Sequence, residues 1–203
     1  MKKEIILTGF GKYGTHTCNP TEELVKSFNN KVFNKRTVTS IVLPASYNAF
    51  EELKQLLLER KPYAIISTGL SSSIPGMRME LTFKNRMGHH YADEKGVFAK
   101  NEPIMEKNHH YLAPIGKAED LHYALLSKGV PMDNVSTDAG SFVCNALGYK
   151  ITDAIIKNRL KTQNIFVHVP WSSNYKDRVS HEGKVFLPKR QMLRGLELLI
   201  RSI

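Results

Sequence analysis

Cysteine is scarce in this chain. Cys18 and Cys144 are the only two among 203 residues, too few for a disulfide framework. Both are expected to be free thiols, which points to a reducing compartment and, most simply, to the cytoplasm. Long apolar runs are also missing. None approaches the ~20 residues that cross a bilayer, so no membrane partner is expected. The opening MKKEIILTGF starts like a signal peptide, but Gly9, Gly11 and Lys12 interrupt it well short of a secretory apolar core and cleavage site, and it reads as a first strand. Acidic side chains are outnumbered, 19 against 29 basic ones, giving a formal charge of +10. The basic residues are scattered, with only short concentrations at Lys157–Lys161 and Lys189–Arg194. No RNA-recognition motif, zinc-ligand spacing or basic amphipathic arm accompanies them. A solvated basic surface is therefore expected, and no nucleic-acid partner.

What is present is the composition of an ordinary folded globule, 41% hydrophobic and 9% aromatic. A chain of this length buries about 70% of its unfolded surface and needs no staples. One domain over residues 1–203 is expected, without repeats or linkers. Lys3–Phe10 is an apolar run closed by glycine, as in a strand buried on both faces. Asn19-Pro20-Thr21-Glu22 reads as a helix start, with Asn19 as cap, Pro20 in first position and Glu22 reaching back. A strand at Thr37–Leu43, a helix over Tyr47–Arg60 and a strand at Tyr63–Thr68 follow, the last ending in Gly69. A strand is expected at Met77–Phe83. Asn85–Pro114 is polar, histidine-rich and without a helical period, and forms a loop excursion. Then come a helix near Gly116–Lys128, a strand near Val135, a helix over Ser141–Asn158 and the strand Asn164–Val169. The loop Trp171–Phe186 leads to a last helix opened by Pro188. Strands and helices in alternation predict an α/β fold, three layers deep, on a mixed and mainly parallel central sheet.

Chemistry concentrates at Asp138-Ala-Gly-Ser-Phe-Val-Cys144-Asn. The Ala139-Gly140 pair permits a tight turn, and Cys144 falls at the start of the helix that follows. There the helix dipole and free N–H groups favour a thiolate and can stabilise an oxyanion. A buried cysteine acting as a small hydrophobe fits the position equally well. His168 lies in the apolar strand Asn164-Ile-Phe-Val-His-Val, near the carboxyl edge where open α/β sheets place their sites. Alone it reads as a core histidine; with Cys144 it supplies the base of a thiol hydrolase. A third group should orient the imidazole. Glu80, set among apolar residues in a strand, is the candidate, with Asp138 and Asp153 as rivals and a surface-pointing Glu80 as the plain alternative.

Four separated segments resemble the pyroglutamyl peptidase I family, also called pyrrolidone-carboxylate peptidases. They are Thr8-Gly9-Phe10-x-x-Tyr13-Gly14 with Asn19-Pro20-Thr21, then Gly69 followed by Glu80, then Ala139-Gly140-Ser141-Phe142-Val143-Cys144-Asn145, and His168-Val169-Pro170. The resemblance implies a Cys144–His168–Glu80 triad that removes N-terminal pyroglutamyl residues from peptide substrates without a cofactor. It also implies a lactam pocket lined by Phe10, Tyr13, Asn19, Leu70, Phe142 and Val143. Apolar walls suit a flat, uncharged ring, although Phe10 and Val143 read equally as core and Asn19 as a helix cap. The chain departs from the family pattern at Gly69-Leu-Ser-Ser-Ser-Ile74, where the family has Gly-Gln-Ala-Gly-Gly-Arg. It departs again at Leu81, where the family has an arginine that assists the site. Arg78, on Glu80's strand face, is a candidate substitute.

Other classes are weighed on specific residues. His89-His90 and His109-His110 raise a metal site, but neighbours on an extended chain point to opposite faces, so each pair supplies at most one ligand, and no metal is expected. A divergent homologue that hydrolyses another small cyclic or N-acyl amide, and a non-catalytic binding protein, remain on the same fold. The excursion is too long for an ordinary connection and carries Tyr91, Val97, Phe98, Ile104 and Met105. It is expected to shield the site mouth and, by the family resemblance, to join subunits into a homodimer or homotetramer.

Overall fold

The computed structural model describes residues 4–14, 16–106, 111–112 and 118–203. Strand β1 (Glu4–Phe10) leads to helix α1 (Pro20–Lys26), whose first turn is capped by the Asn19 side chain accepting from the Thr21 N–H. Pro20 takes the first helical position as expected. Glu22 does not reach back; its carboxylate pairs with Lys26 one turn on. Strands β2 (Val32–Phe33) and β3 (Arg36–Leu43) come next, then α2 (Glu51–Arg60). That helix starts later than its apolar period predicts. The Tyr47 N–H is taken by the Asp93 carboxylate of the excursion, so residues 47–50 are held as turns.

Strand β4 (Ala64–Leu70) follows, and the strand expected at Met77–Phe83 is two, β5 (Arg78–Glu80) and β6 (Thr82–Phe83). The break falls at Leu81, whose N–H goes to the Ser136 carbonyl. The segment near Val135 is not a strand of its own but runs along β5 through bridges at Met77–Met132 and Glu80–Ser136. Between them lie β7 (Tyr111–Leu112), which pairs with β6, and α3 (Ala118–Ser127). The expected start of α3 at Gly116 is outside the described residues. Helix α4 (Val143–Lys157), β8 (Gln163–Val169), β9 (Trp171–Ser172), β10 (Phe186–Leu187) and α5 (Lys189–Ser202) complete the chain. The loop expected between Trp171 and Phe186 holds a 3-10 helix (Ser173–Arg178), and its ends pair as β9 and β10.

The main sheet runs β2-β3-β1-β4-β8-β5. Its four central strands are parallel, while β2 and β5 run antiparallel at the two edges. The continuous apolar runs of β1, β4 and β8 exist because the sheet is covered on both faces. Ile6, Ile65 and Phe166 face the layer of α2 and α4, whereas Ile5, Leu7, Ile66, Ile165 and Val167 face α1, α3 and α5. The architecture is therefore the three-layer, mainly parallel α/β sandwich that the pattern predicts.

The described part of the excursion is ordered by its own hydrogen bonds. Asn85 and Met105 exchange two side chain–backbone bonds, Met87 pairs with Glu102, and Asp93 accepts from the N–H groups of Tyr47, Lys95 and Val97. Met87, Ile104 and Met105 pack on the α2/α4 core, while Val97 and Phe98 stay 40% and 47% exposed.

Candidate active site

Strand alternation decides which residues meet. Phe166 faces the α4 layer, so His168, two residues on, faces it too. In the register of β5 against β8, Arg78 lies opposite His168 and Glu80 opposite Phe166, while Met79 turns to the other core. Glu80 and His168 are thus diagonal neighbours on one face. The Glu80 carboxylate, 3% exposed, accepts from His168 Nδ1 at 2.8 Å through Oε1, and its Oε2 is buried without a hydrogen-bond partner. The two rivals are committed elsewhere. Asp138 binds Lys84 and the Gly140 N–H, and Asp153 accepts from the Tyr111 hydroxyl.

Cys144 sits in the first turn of α4. Phe142 is the N-cap in extended conformation, with no side-chain cap, so the leading N–H groups of the helix are not taken by a capping side chain. The helix begins at Val143 rather than Ser141 because Ser141 is bound away: its hydroxyl donates to the Gly88 carbonyl, and its own carbonyl accepts from the Gly88 N–H. Asn145 fixes the turn from the other side, exchanging bonds with Lys84 and donating to the Arg86 carbonyl. Gly69, paired with His168 across β4 and β8, supplies the floor. A Cβ there would stand 2.7 Å from the Cys144 sulfur and 3.1 Å from His168 Cδ2, so the bare backbone leaves room for both side chains to meet. Burial alone would lower the His168 pKa. The charge and hydrogen bond of Cys144, and then those of Glu80, outweigh it and push the imidazole from 6.5 up to about 9.

These groups lie in a cavity of about 480 Å³ at the carboxyl edge of β1, β4 and β8. Phe10, Tyr13, Asn19, Leu70, Phe142 and Val143 all line it together with Cys144, His168 and Glu80. Asn19 does so from its place as the α1 cap, where its amide also donates to the Gly11 carbonyl. Leu81 turns to the opposite core, so the position where the family has arginine is directed away from this cavity. Arg78 does line the cavity, but its guanidinium is held by Asp133. Ser71 and Ser72 bring the divergent loop into the wall.

Sequence reasoning missed part of the wall. His89 and Tyr91 of the excursion line the cavity. Their rings cluster on Phe142, at 4.5 and 5.3 Å between centroids, and Tyr91 stacks on Tyr13 at 6.4 Å. His89 and His90 do not diverge as on an extended strand. The segment is irregular, and their rings lie 4.0 Å apart. No periodicity could have revealed this, because loop contacts follow no period. Among the described residues no group of three or more His, Cys, Asp or Glu is placed to hold a metal; His109 and His110 lie outside them.

The family model for pyroglutamyl peptidase matches residues 3–203. A pyrrolidone-carboxylate peptidase of Thermococcus kodakarensis is 28% identical to the chain, over 98% of this chain and 95% of that protein. One from Bacillus cereus is 26% identical, over 98% and 91%. Among solved structures, the pyrrolidone carboxyl peptidase of Thermococcus litoralis superposes with a TM-score of 0.90 at 27% identity, covering 99% of this chain and 92% of that one. Pyroglutamyl peptidase I of Bacillus amyloliquefaciens gives 0.89 at 24%, over 99% and 96%, which speaks to the fold. A match that runs from the first strand to the last helix takes in every element that builds the cavity, and the chain belongs to the pyroglutamyl peptidase family.

Proposed function

We propose that the chain is a cysteine peptidase that removes N-terminal pyroglutamyl residues from peptides, with Cys144 as nucleophile, His168 as base and acid, and Glu80 orienting the imidazole. The observation that carries this reading is the buried Glu80–His168 hydrogen bond beside Cys144 at the foot of an aromatic-walled cavity. The Cys144 sulfur adds to the carbonyl carbon between the lactam ring and the next residue. The resulting oxyanion is stabilised by N–H groups at the start of α4. Collapse breaks the C–N bond as His168 Nε2 gives its proton to the leaving amine, which leaves a thioester on Cys144. Water then attacks the thioester; His168 takes its proton, and pyroglutamate and the thiol are released. The raised imidazole pKa matches this cycle, because an imidazolium beside the sulfur holds the proton that the leaving amine needs.

The aromatic part of the cavity wall (Phe10, Tyr13, Phe142) favours a flat, uncharged ring over a charged N-terminus, since an ammonium placed against those rings would lose hydration. Release of aminomethylcoumarin from pyroglutamyl-aminomethylcoumarin, abolished by alkylation of Cys144, tests the reading. Absence of release by unmodified protein refutes it. Two free thiols, one of them reactive in this reading, suit a reducing cytoplasm, and among the described residues no helix is long and apolar enough to cross a membrane. Residues 1–203 act as one domain that associates into a homodimer or homotetramer. Supporting the association, exposed Val97 and Phe98 on the excursion offer an apolar contact.

A further inference from the structure

The cavity has two unlike ends. The strand order β1-β4-β8-β5 sets its groups in a row on the face covered by α4: Phe10 on β1, the Cys144 sulfur over Gly69 of β4, His168 on β8 and Arg78 on β5. Neighbouring strands lie about 4.8 Å apart, so β1 and β5 are separated by roughly 14 Å with nucleophile and base between them. Arg78 stands directly opposite His168, and residues paired in this way project to the same face. Its side chain is 30% exposed and lines the cavity. Nε and Nη2 both donate to Asp133 Oδ2, while Asp133 Oδ1 accepts from the Asn134 N–H. A guanidinium has five N–H groups, and this pair uses two of them. Nη1 makes no hydrogen bond to a described residue and is not one of the buried atoms left unpaired, so it stays open to solvent. The other carboxylates of the wall are engaged elsewhere, Glu80 by His168 and Asp138 by Lys84.

We propose that Arg78 is a specificity-determining residue that binds the peptide beyond the scissile bond, its Nη1 donating to the main-chain carbonyl of the residue after pyroglutamate. The inference rests on the peptidase reading above. In that reading the ring lies on the Phe10 side of the sulfur. The leaving amine lies on the His168 side, because His168 gives that amine its proton. The next strand outward carries Arg78. A peptide advances about 3.3–3.6 Å per residue, so the first carbonyl beyond the scissile nitrogen passes over β8 towards β5, within reach of the guanidinium. Asp133 holds the fork in place before substrate arrives, which lowers the ordering that binding costs. A charged donor also bonds a carbonyl more strongly than a neutral one does. That carbonyl distinguishes a peptide from a simple amide, so Arg78 favours substrates with at least one amino acid after the ring.

Two substrates test this. Pyroglutamyl-alaninamide has the carbonyl, whereas pyroglutamyl-aminomethylcoumarin has none at that place, its own lying at the far end of the bicyclic ring. Released pyroglutamate is measured for both by chromatography, and the ratio of their kcat/KM values cancels any difference in the amount of folded enzyme. Arg78→Met keeps the aliphatic stem, removes the donors and should lower the peptide-to-coumarin ratio by about tenfold. It also leaves Asp133 without its cation, so the double variant Arg78→Met, Asp133→Asn removes the stranded charge and should show the same fall. A ratio within about twofold of the parent in Arg78→Met would overturn the proposal. So would a ratio restored to the parental value in the double variant, since that assigns the effect to the Asp133 carboxylate. Failure of the peptidase reading itself looks different: the unmodified protein would then cleave neither substrate.

Discussion

Replacing Gly69 by alanine should separate catalysis from stability. Gly69 lies within β4, so alanine fits its backbone. Its added methyl group would stand 2.7 Å from the Cys144 sulfur and 3.1 Å from both His168 Cδ2 and Phe166 Cε1. The ring atoms are pinned by Glu80 and by the α4 core, whereas the sulfur ends a side chain that can turn about χ1. The sulfur therefore gives way, by about 1 Å or by a full change of rotamer. Overpacking costs about 1–3 kcal/mol in general, and a yielding side chain places this site at the low end. The smaller entropy of an unfolded chain with alanine returns about 0.4–1 kcal/mol. Net stability should change by less than about 1 kcal/mol, a Tm shift within about 4 °C for a chain of this size. Catalysis has no such compensation. A displacement of about 1 Å at the reacting atom costs on the order of 100-fold. Hydrolysis of pyroglutamyl-aminomethylcoumarin, Cys144 alkylation and thermal unfolding together test this. A kcat/KM within about threefold of the parent, at unchanged Tm, would refute the placement of the sulfur over Gly69.

Cys144→Ser should fold normally and lose on the order of 10³ or more in turnover, since a hydroxyl is a far weaker nucleophile than a thiolate; parental rates would dismiss the mechanism. Glu80→Gln should lower kcat by about 10²–10⁴ and exceed the losses in Asp138→Asn and Asp153→Asn, and a larger loss in either aspartate variant would transfer the orienting role. The His168 pKa is raised from 6.5 to about 9, so its protonation stabilises the folded state in full below about 6.5 and that share is lost as pH rises through about 9. The kcat/KM profile should fall over the same alkaline range as the imidazolium loses its proton, and a profile still rising beyond about pH 10 would contradict the ion pair. Light scattering at micromolar concentration should give two or four times the 23.0 kDa chain mass; a monomer unchanged by trimming residues 91–105 would remove the assembly claim and leave the excursion as a cover for the site.

The layers, and candidates for the chemistry-bearing residues, could be read from near neighbours along the chain. Continuous apolar runs in β1, β4 and β8 mark strands covered on both faces, and the Asn19-Pro20 pair marks a helix start, because both signals depend on near neighbours in the chain. Cys144 was legible in the same way as a candidate, from a tight turn running into an apolar helix, though the position fitted a small buried hydrophobe equally well. The choice among Glu80, Asp138 and Asp153 was not, for it turns on the register of β5 against β8, which places Glu80 on the His168 face and leaves the aspartates to Lys84 and Tyr111. The late starts of α2 and α4 likewise came from distant partners, Asp93 and Gly88, that claim backbone or side-chain groups a local pattern would give to the helix. The place of His89 in the cavity wall was decided wholly by tertiary structure. An irregular loop follows no period, and its side chains face wherever its backbone bonds to Ser141 and Ala99 hold them.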